Sequence, residues 1–474
     1  MTNSELGERG RRKPHILVIP FPTQGHMLPL LDLTQRISSL DAFAITVVTT
    51  PKNLPYLSPL LSASPSSVKP LLLPFPAHPL LPAGTENYKD IPIPTTPLFR
   101  AFNHALASLR SPLLRWANSP ATSSPPDAII SDFFLGWTNG LARDLAIPRV
   151  TFSPSSAMTL AVNHHRWAKT NPNPNPNSTD HHTSSSPCIQ LSQLSQLKRG
   201  YVEGSPITEF IREGFLADVE SWGLVFNSFR GLEGPYLDHL KRELGHERVW
   251  AVGPVSLLGE PAGERGGPSS VSPAEVMSWL DGRERGSVVY VCFGSQCGLN
   301  QEQASVVATA LEDSMIHFVW SMKETAVAPE GFEERTKGRG LVIKGWAPQV
   351  QVLHHDSVGS FMTHCGWNSV LEAVTTGVTM LLWPMSSDQF YNATLLENER
   401  VGIRVYEGND GVPDLEVLTR VLNDMVRKNG EEKHKKAKEL GKVAREAVKE
   451  GGSSSRDLDD LVESLKKEIM LCKQ

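Results

Sequence analysis

Short, unbroken apolar runs recur along this chain, each followed by a turn and a segment of helical period. Residues 15–20 read HILVIP, 43–49 FAITVVT, 127–131 DAIIS, 223–227 GLVFN and 287–293 SVVYVCF. A strand that is apolar on both faces has to be covered on both, as happens where helices cross over between parallel strands. Between the first two runs, Leu30, Leu31, Thr34 and Ile37 fall on one helical side. The unit is therefore βαβ, with a right-handed crossover. At 474 residues the chain exceeds one ordinary core and suits two such domains. Residues 258–272, rich in Gly, Pro and Ser, are the expected linker.

Composition excludes several classes. Forty-six basic against 51 acidic residues leave a net charge of −5, which gives nucleic acid no footing. The basic run Arg11-Arg12-Lys13 reads as a solvated tail. Five scattered cysteines (Cys188, Cys292, Cys297, Cys365, Cys472) point to a reduced compartment, and Cys292 and Cys297 have no nearby histidine to make a zinc site. No apolar run is long enough for a membrane span and no signal-peptide core precedes residue 30, so a cytoplasmic protein is expected. On that expectation the sequons at Asn177 and Asn392 are chance matches. Residues 171–187, NPNPNPNSTDHHTSSSP, cannot bury enough surface to fold and are expected to form a disordered loop; His181-His182 within it reads as solvated. Residues 51–96, dense in Pro, Leu and Ser, read as loops around one strand near Val68, and residues 101–116 as one helix.

Candidate chemistry concentrates in residues 346–389. There a strand run, 358–363, leads into His364-Cys365-Gly366 and a helix opening near Asn368. Unpartnered N–H groups and the helix dipole make such a start a phosphate site, which Gly366 lets an anion approach and where His364 adds a donor. Asn368, Ser369 and Glu372 share one helical face, and a carboxylate there can accept both hydroxyls of a ribose. Trp346 and Trp367 offer flat apolar surfaces for a base and a sugar, and Asp388-Gln389 suit sugar hydroxyls. Singly, these residues also fit a Ser369–Glu372 capping box with core tryptophans. Their crowding at one helix start is what exceeds that reading. A second turn with a hydroxyl, Gly294-Ser295, follows the strand at 287–293 and also suits a phosphate. In the other half, His26 follows the first strand and Asp132 follows the strand at 127–131. Taken alone, His26 could be a helix-start residue and Asp132 an N-cap.

The stretch from Trp346 to Gln389, with HCGWNS near its middle and DQ at its end, resembles the signature box of the plant secondary-metabolite UDP-glycosyltransferases (family 1), and the rest of the chain resembles the family more loosely. The resemblance implies the GT-B fold: α/β, two Rossmann-like domains facing a central cleft. Residues 1–257 would be the acceptor-binding domain and 273–454 the UDP-sugar-binding domain, with 455–474 a helix packing back on the first. It implies that His26, in the FPTQGH loop, is the catalytic base and Asp132, in S-D-x-x-x-x-W, its acid partner. Ser295, Trp346, Ala347, Gln349, His364, Gly366, Trp367, Asn368, Ser369, Glu372, Asp388 and Gln389 would bind the donor. Phe21, Gly25, Phe102, Phe133, Phe134 and Trp137 would line an acceptor pocket for a flat hydrophobic aglycone. The diphosphate would be neutralised by backbone N–H groups, His364 and Ser295, without metal or other cofactor.

The closing Gln389 implies UDP-glucose, with UDP-rhamnose and UDP-xylose as alternatives. A flavonol or related phenolic is the expected acceptor, with a terpenoid or steroid as alternative, and a monomer is expected. The D-x-D at Asp457-Leu458-Asp459 opens an amphipathic helix and is not expected to hold metal. A nicotinamide oxidoreductase lacks its G-x-G-x-x-G, and a hydrolase its G-x-S-x-G. A non-catalytic sugar-nucleotide sensor would have lost His26 or Asp132.

Overall fold

The computed structural model describes residues 12–93, 95–122, 124–168, 197, 200–257, 269–294, 298–323, 328–426 and 431–473. The expected loop at 171–187, most of the expected linker, Ser295, Cys188 and Cys297 lie outside the described residues. Two all-parallel sheets carry the fold. The first has seven strands: β1 (His15–Ile19), β2 (Ala44–Thr49), β3 (Val68–Leu72), β4 (Ala128–Asp132), β5 (Arg149–Ser153), β6 (Gly223–Phe226) and β7 (Val249–Ala251), in the order β3-β2-β1-β4-β5-β6-β7. The second has six: β8 (Val288–Cys292), β9 (His317–Met322), β10 (Gly340–Lys344), β11 (Val358–Thr363), β12 (Thr379–Leu382) and β13 (Gly402–Arg404), in the order β10-β9-β8-β11-β12-β13.

Each sheet grows outward from its first strand and then reverses, so β1 meets β4 and β8 meets β11. Ligands bind open parallel sheets outside the carboxyl ends of the strands at such reversals. In the first sheet that point carries the loop after Ile19 and Asp132 at the end of β4. In the second it carries Gly294 after β8 and His364 after β11. These are the strands whose residues are almost wholly buried, as helices covering both faces require.

The proline-rich region is more ordered than its composition suggests. Residues expected as loop form the helix Leu54–Ala63, which has Pro in its first turn, where the missing N–H costs nothing, and tolerates Pro59 further on. The single helix expected over 101–116 is two, Thr96–Ala107 and Arg110–Ala117, parted at Ser108-Leu109. The helices Pro206–Val219 and Arg230–Leu244 are not evident from the sequence; the second contains Pro235 and a non-helical Glu233.

The last helix, Ser453–Cys472, packs on the first sheet. Leu458, Leu461, Val462, Leu465 and Ile469 are buried in one cluster with Ile16, Val18, Val225 and Trp250. The polar residues of its first two turns serve this docking. Asp457 Oδ2 accepts from the Ala251 N–H at 2.8 Å, Asp460 Oδ2 accepts from the Trp250 indole at 2.7 Å, and Ser454 Oγ donates to the Gly253 carbonyl at 2.6 Å. Among the described residues no group of three His, Cys, Asp or Glu side chains could hold a metal ion, and no helix is long and apolar enough to cross a membrane. Leu461→Ala should cost about 2–5 kcal/mol of stability, the range for emptying a buried leucine site, measured by urea denaturation. A loss below about 1 kcal/mol would show that the helix is loosely docked.

Candidate active site

His26 lies in the first turn of the helix Gln24–Ser39, which follows β1. Its Nδ1 is 2.8 Å from Asp132 Oδ2, and the aspartate is fully buried. Asp132 Oδ1 accepts from the Phe134 N–H at 2.9 Å and so caps the short 3₁₀ turn Phe133–Leu135. Capping and pairing are thus both true of this carboxylate, one on each oxygen. With Nδ1–H donated to Asp132, Nε2 is the basic nitrogen of His26. The imidazole stacks near Phe134 and Phe133, at centroid distances of 4.8 and 5.5 Å, yet keeps 20% of its surface exposed. Beneath it, Ser131 accepts from buried Arg149, whose guanidinium pairs with Asp218 at 2.9 Å. Burial pushes Asp218 up to about 8 and Arg149 down, against their mutual attraction.

The expected acceptor residues divide. Phe133, Phe134 and Trp137 line a cavity of only about 10 Å³ with Phe99, Asn103 and Phe215. The Trp137 Nε1 is buried without a partner. Phe21 and Phe102 differ from expectation, being fully buried against each other at 5.6 Å, a second layer behind Phe134. Phe99 and Asn103 come from the helix Thr96–Ala107 and Phe215 from the helix Pro206–Val219, and nothing in their local sequence marks them.

At the donor side, the helix Trp367–Thr376 starts from Gly366 with no side-chain cap, so Ser369 and Glu372 do not form a capping box. Cys365 takes a left-handed φ of 66°, strained for a residue with a Cβ. Its N–H donates to Thr363 Oγ1 at 3.2 Å and its carbonyl accepts from Asn392 at 3.0 Å. The His364 ring fits between two glycines: a Cβ on Gly366 would come within 2.5 Å of it and one on Gly294 within 2.7 Å. Gly366 therefore makes room for His364 before it makes room for any anion. Burial pushes His364 down to about 4, so the ring is neutral near pH 7, and its Nδ1 is buried without a partner. The expectation that it helps neutralise a diphosphate is corrected: a neutral ring brings no charge there.

Gln349 Nε2 donates to Ser369 Oγ at 3.0 Å and to Glu372 Oε2 at 2.8 Å, while its carbonyl oxygen accepts from Tyr290 at 3.3 Å. Burial raises Glu372 to about 7; the Gln349 bond opposes the rise and Asp32 adds to it. Trp346 and the buried Ala347 immediately precede this group in the chain. Trp367 departs from expectation. Its ring is buried and its indole N–H donates to the Asn227 carbonyl of the first half at 2.7 Å, so it offers no face for a sugar. Asn368 Nδ2 donates to the Gly25 carbonyl at 2.8 Å, next to His26. Asp388 is part-exposed, with Oδ2 accepting from Ser155 at 2.6 Å. Gln389 spends its amide oxygen on the N–H groups of Met385 and Ser386, both at 2.9 Å, and so shapes the loop that carries Asp388.

Two Rossmann-like halves whose strand ends face one cleft, with a His–Asp pair on one wall and a glycine-bounded helix start on the other, define a GT-B glycosyltransferase. Residues 263–433 match the family described as UDP-glucoronosyl and UDP-glucosyl transferase. Flavonol 3-O-glucosyltransferase UGT89B1 of Arabidopsis thaliana is 51% identical over 95% of this chain and 96% of its own length. The crystal structure of Arabidopsis thaliana UGT89C1 complexed with UDP-L-rhamnose is 39% identical and superposes with a TM-score of 0.79 over 96% of this chain and 100% of that one; the same enzyme complexed with quercetin gives 38% and 0.77 over the same shares. The chain belongs to the plant family 1 UDP-glycosyltransferases and is a glycosyltransferase enzyme.

The Glu372 environment sets a pH dependence. Its folded pKa lies above the 4.5 of a free side chain, so between about 4.5 and 7 the folded state holds a proton that the unfolded chain releases, and stability falls as pH rises. Relative to Glu372→Gln, the wild-type protein should lose on the order of 1–3 kcal/mol across that window, with the difference flat on either side. Urea midpoints of both proteins from pH 4 to 8 measure it; a difference constant with pH would refute the raised pKa.

Proposed function

We propose that this enzyme transfers glucose from UDP-glucose, with inversion, to a hydroxyl of a flavonol or related phenolic. The observation that carries the reading is the 2.8 Å pair of His26 with a fully buried Asp132, tied to the donor loop through the Asn368–Gly25 bond. His26 Nε2 takes the proton of the acceptor hydroxyl. Asp132 fixes the tautomer and stabilises the imidazolium, and the acceptor oxygen attacks the anomeric carbon from the face opposite UDP. Negative charge then grows on the leaving diphosphate. It is met by the N–H groups opening the helix at Trp367, Asn368 and Ser369, by neutral His364 and by Ser295. Gln349, Ser369 and Glu372 hold the ribose, Trp346 and Ala347 the base, and Asp388 the sugar. Residues 1–257 form the acceptor half, 273–454 the donor half, 258–272 the linker and 455–474 the returning helix.

Glucose is supported by the flavonol 3-O-glucosyltransferase relative and by Gln389. The neighbouring structure with UDP-L-rhamnose keeps UDP-rhamnose as a second reading. A flavonol acceptor is supported by that relative, by the quercetin complex and by the aromatic wall beside His26. No metal is required on this reading, and the protein acts as a cytoplasmic monomer.

His26→Ala should lower kcat by about 10²–10⁴-fold, the usual contribution of a positioned base, with donor affinity retained. Turnover of a flavonol near the wild-type rate would remove His26 from the role. Presenting UDP-glucose and UDP-rhamnose with one flavonol should give mainly the hexoside by mass. A faster deoxyhexoside would favour the second reading, and loss of activity in EDTA would refute metal independence.

A further inference from the structure

Asn392 opens a sequon, yet it is fully buried and cannot be glycosylated in the folded protein. Its side chain meets three separate parts of the cleft. Nδ2 donates to the carbonyl of left-handed Cys365 at 3.0 Å and to Asp388 Oδ2 at 3.2 Å, and Oδ1 accepts from Ser156 at 3.0 Å. Cys365 belongs to the phosphate turn, Asp388 to the sugar wall, and Ser156, also fully buried, to the first half just after β5. An amide has two N–H donors and one carbonyl acceptor, so this side chain commits both kinds of group. A hydroxyl has one proton to give and could not make both donations. The Asp388 bonds from Asn392 and Ser155 both fall on Oδ2, which leaves Oδ1 for a sugar hydroxyl.

We propose that Asn392 is a positioning residue for the donor: it sets the sugar-binding carboxylate of Asp388 in register with the phosphate turn at Cys365, and Ser156 links that register to the acceptor half. The inference rests on the reading that Asp388 binds the sugar. It predicts a defect that distinguishes UDP-glucose from UDP, because Asp388 touches only the sugar. A purely structural role would weaken both ligands alike.

The test is calorimetric titration of UDP-glucose and of UDP into wild type, Asn392→Ala, Asp388→Ala, the double variant and Ser156→Ala. Asn392→Ala should lower the UDP-glucose to UDP affinity ratio about tenfold, roughly the worth of one hydrogen bond to a charged group, and should add nothing in the Asp388→Ala background. Ser156→Ala, which deletes one hydroxyl, should shift the ratio in the same direction by about two- to fivefold. An equal loss for both ligands in Asn392→Ala overturns the proposal. If that variant does not fold, an unchanged ratio in Ser156→Ala overturns it. An unchanged ratio in Asp388→Ala instead refutes the sugar-binding reading on which it rests.

Discussion

The chemistry of this fold depends on a polar seam, buried at Trp367–Asn227 and Ser156–Asn392, that fixes two parallel sheets with their strand ends facing each other. Trp367 donates to Asn227, Ser156 to Asn392, Ser155 to Asp388 and Asn368 to Gly25, all across the seam. Asn227 is itself held, its Oδ1 accepting from the Val255 N–H at 2.9 Å on the way out of the first half. A buried polar group without a partner costs about 1–3 kcal/mol, so the two buried bonds, Trp367–Asn227 and Ser156–Asn392, penalise any relative placement of the halves that breaks them. Apolar packing alone would allow the halves to slide. These directional bonds keep His26 beside the turn that opens the helix Trp367–Thr376.

Burial also explains the character of the wall at His364–Gly366, the proposed donor side. His364 is enclosed between Gly294 and Gly366 and stays neutral near pH 7. The Cys365 backbone is strained, and hydrogen bonds on both its N–H and its carbonyl hold it there. The wall therefore presents oriented dipoles rather than mobile charges. Such donors need little reorganisation as charge grows on a leaving group, which is how preorganised sites lower a barrier.

Much of this was legible in the sequence, and what was not has physical reasons. Strands apolar on both faces announce a parallel sheet, and β11 falls on the residues expected. The helix Leu54–Ala63 was hidden because proline density reads as loop, although proline in a first turn is compatible with a helix. Composition at 346–389 showed polar groups gathered at one helix start. It could not show that the Trp367 ring turns inward to Asn227, or that Phe102 lies behind Phe21, because partners so distant in sequence leave no local trace. Asn392 was missed for the same reason: its bonds to Ser156 and Cys365 exist only once the halves have met.

This bears on how a sugar can be chosen. Gln389 implies glucose by resemblance, yet its amide oxygen is committed to the Met385 and Ser386 N–H groups. Its first role is thus to shape the turn that presents Asp388. Asp388 in turn is bonded by Ser155, at the end of a strand in the other half, and by Asn392. On the proposed reading that Asp388 holds the sugar, donor choice belongs to the shape of a network, in which a substitution at 389 acts by moving a neighbour as well as by changing one contact. The flavonol 3-O-glucosyltransferase relative and the neighbouring structure holding UDP-L-rhamnose are both similar to this chain over nearly its whole length. A few displaced hydrogen bonds suffice to separate two sugars by a factor of ten to a hundred, since each tenfold step needs only about 1.4 kcal/mol.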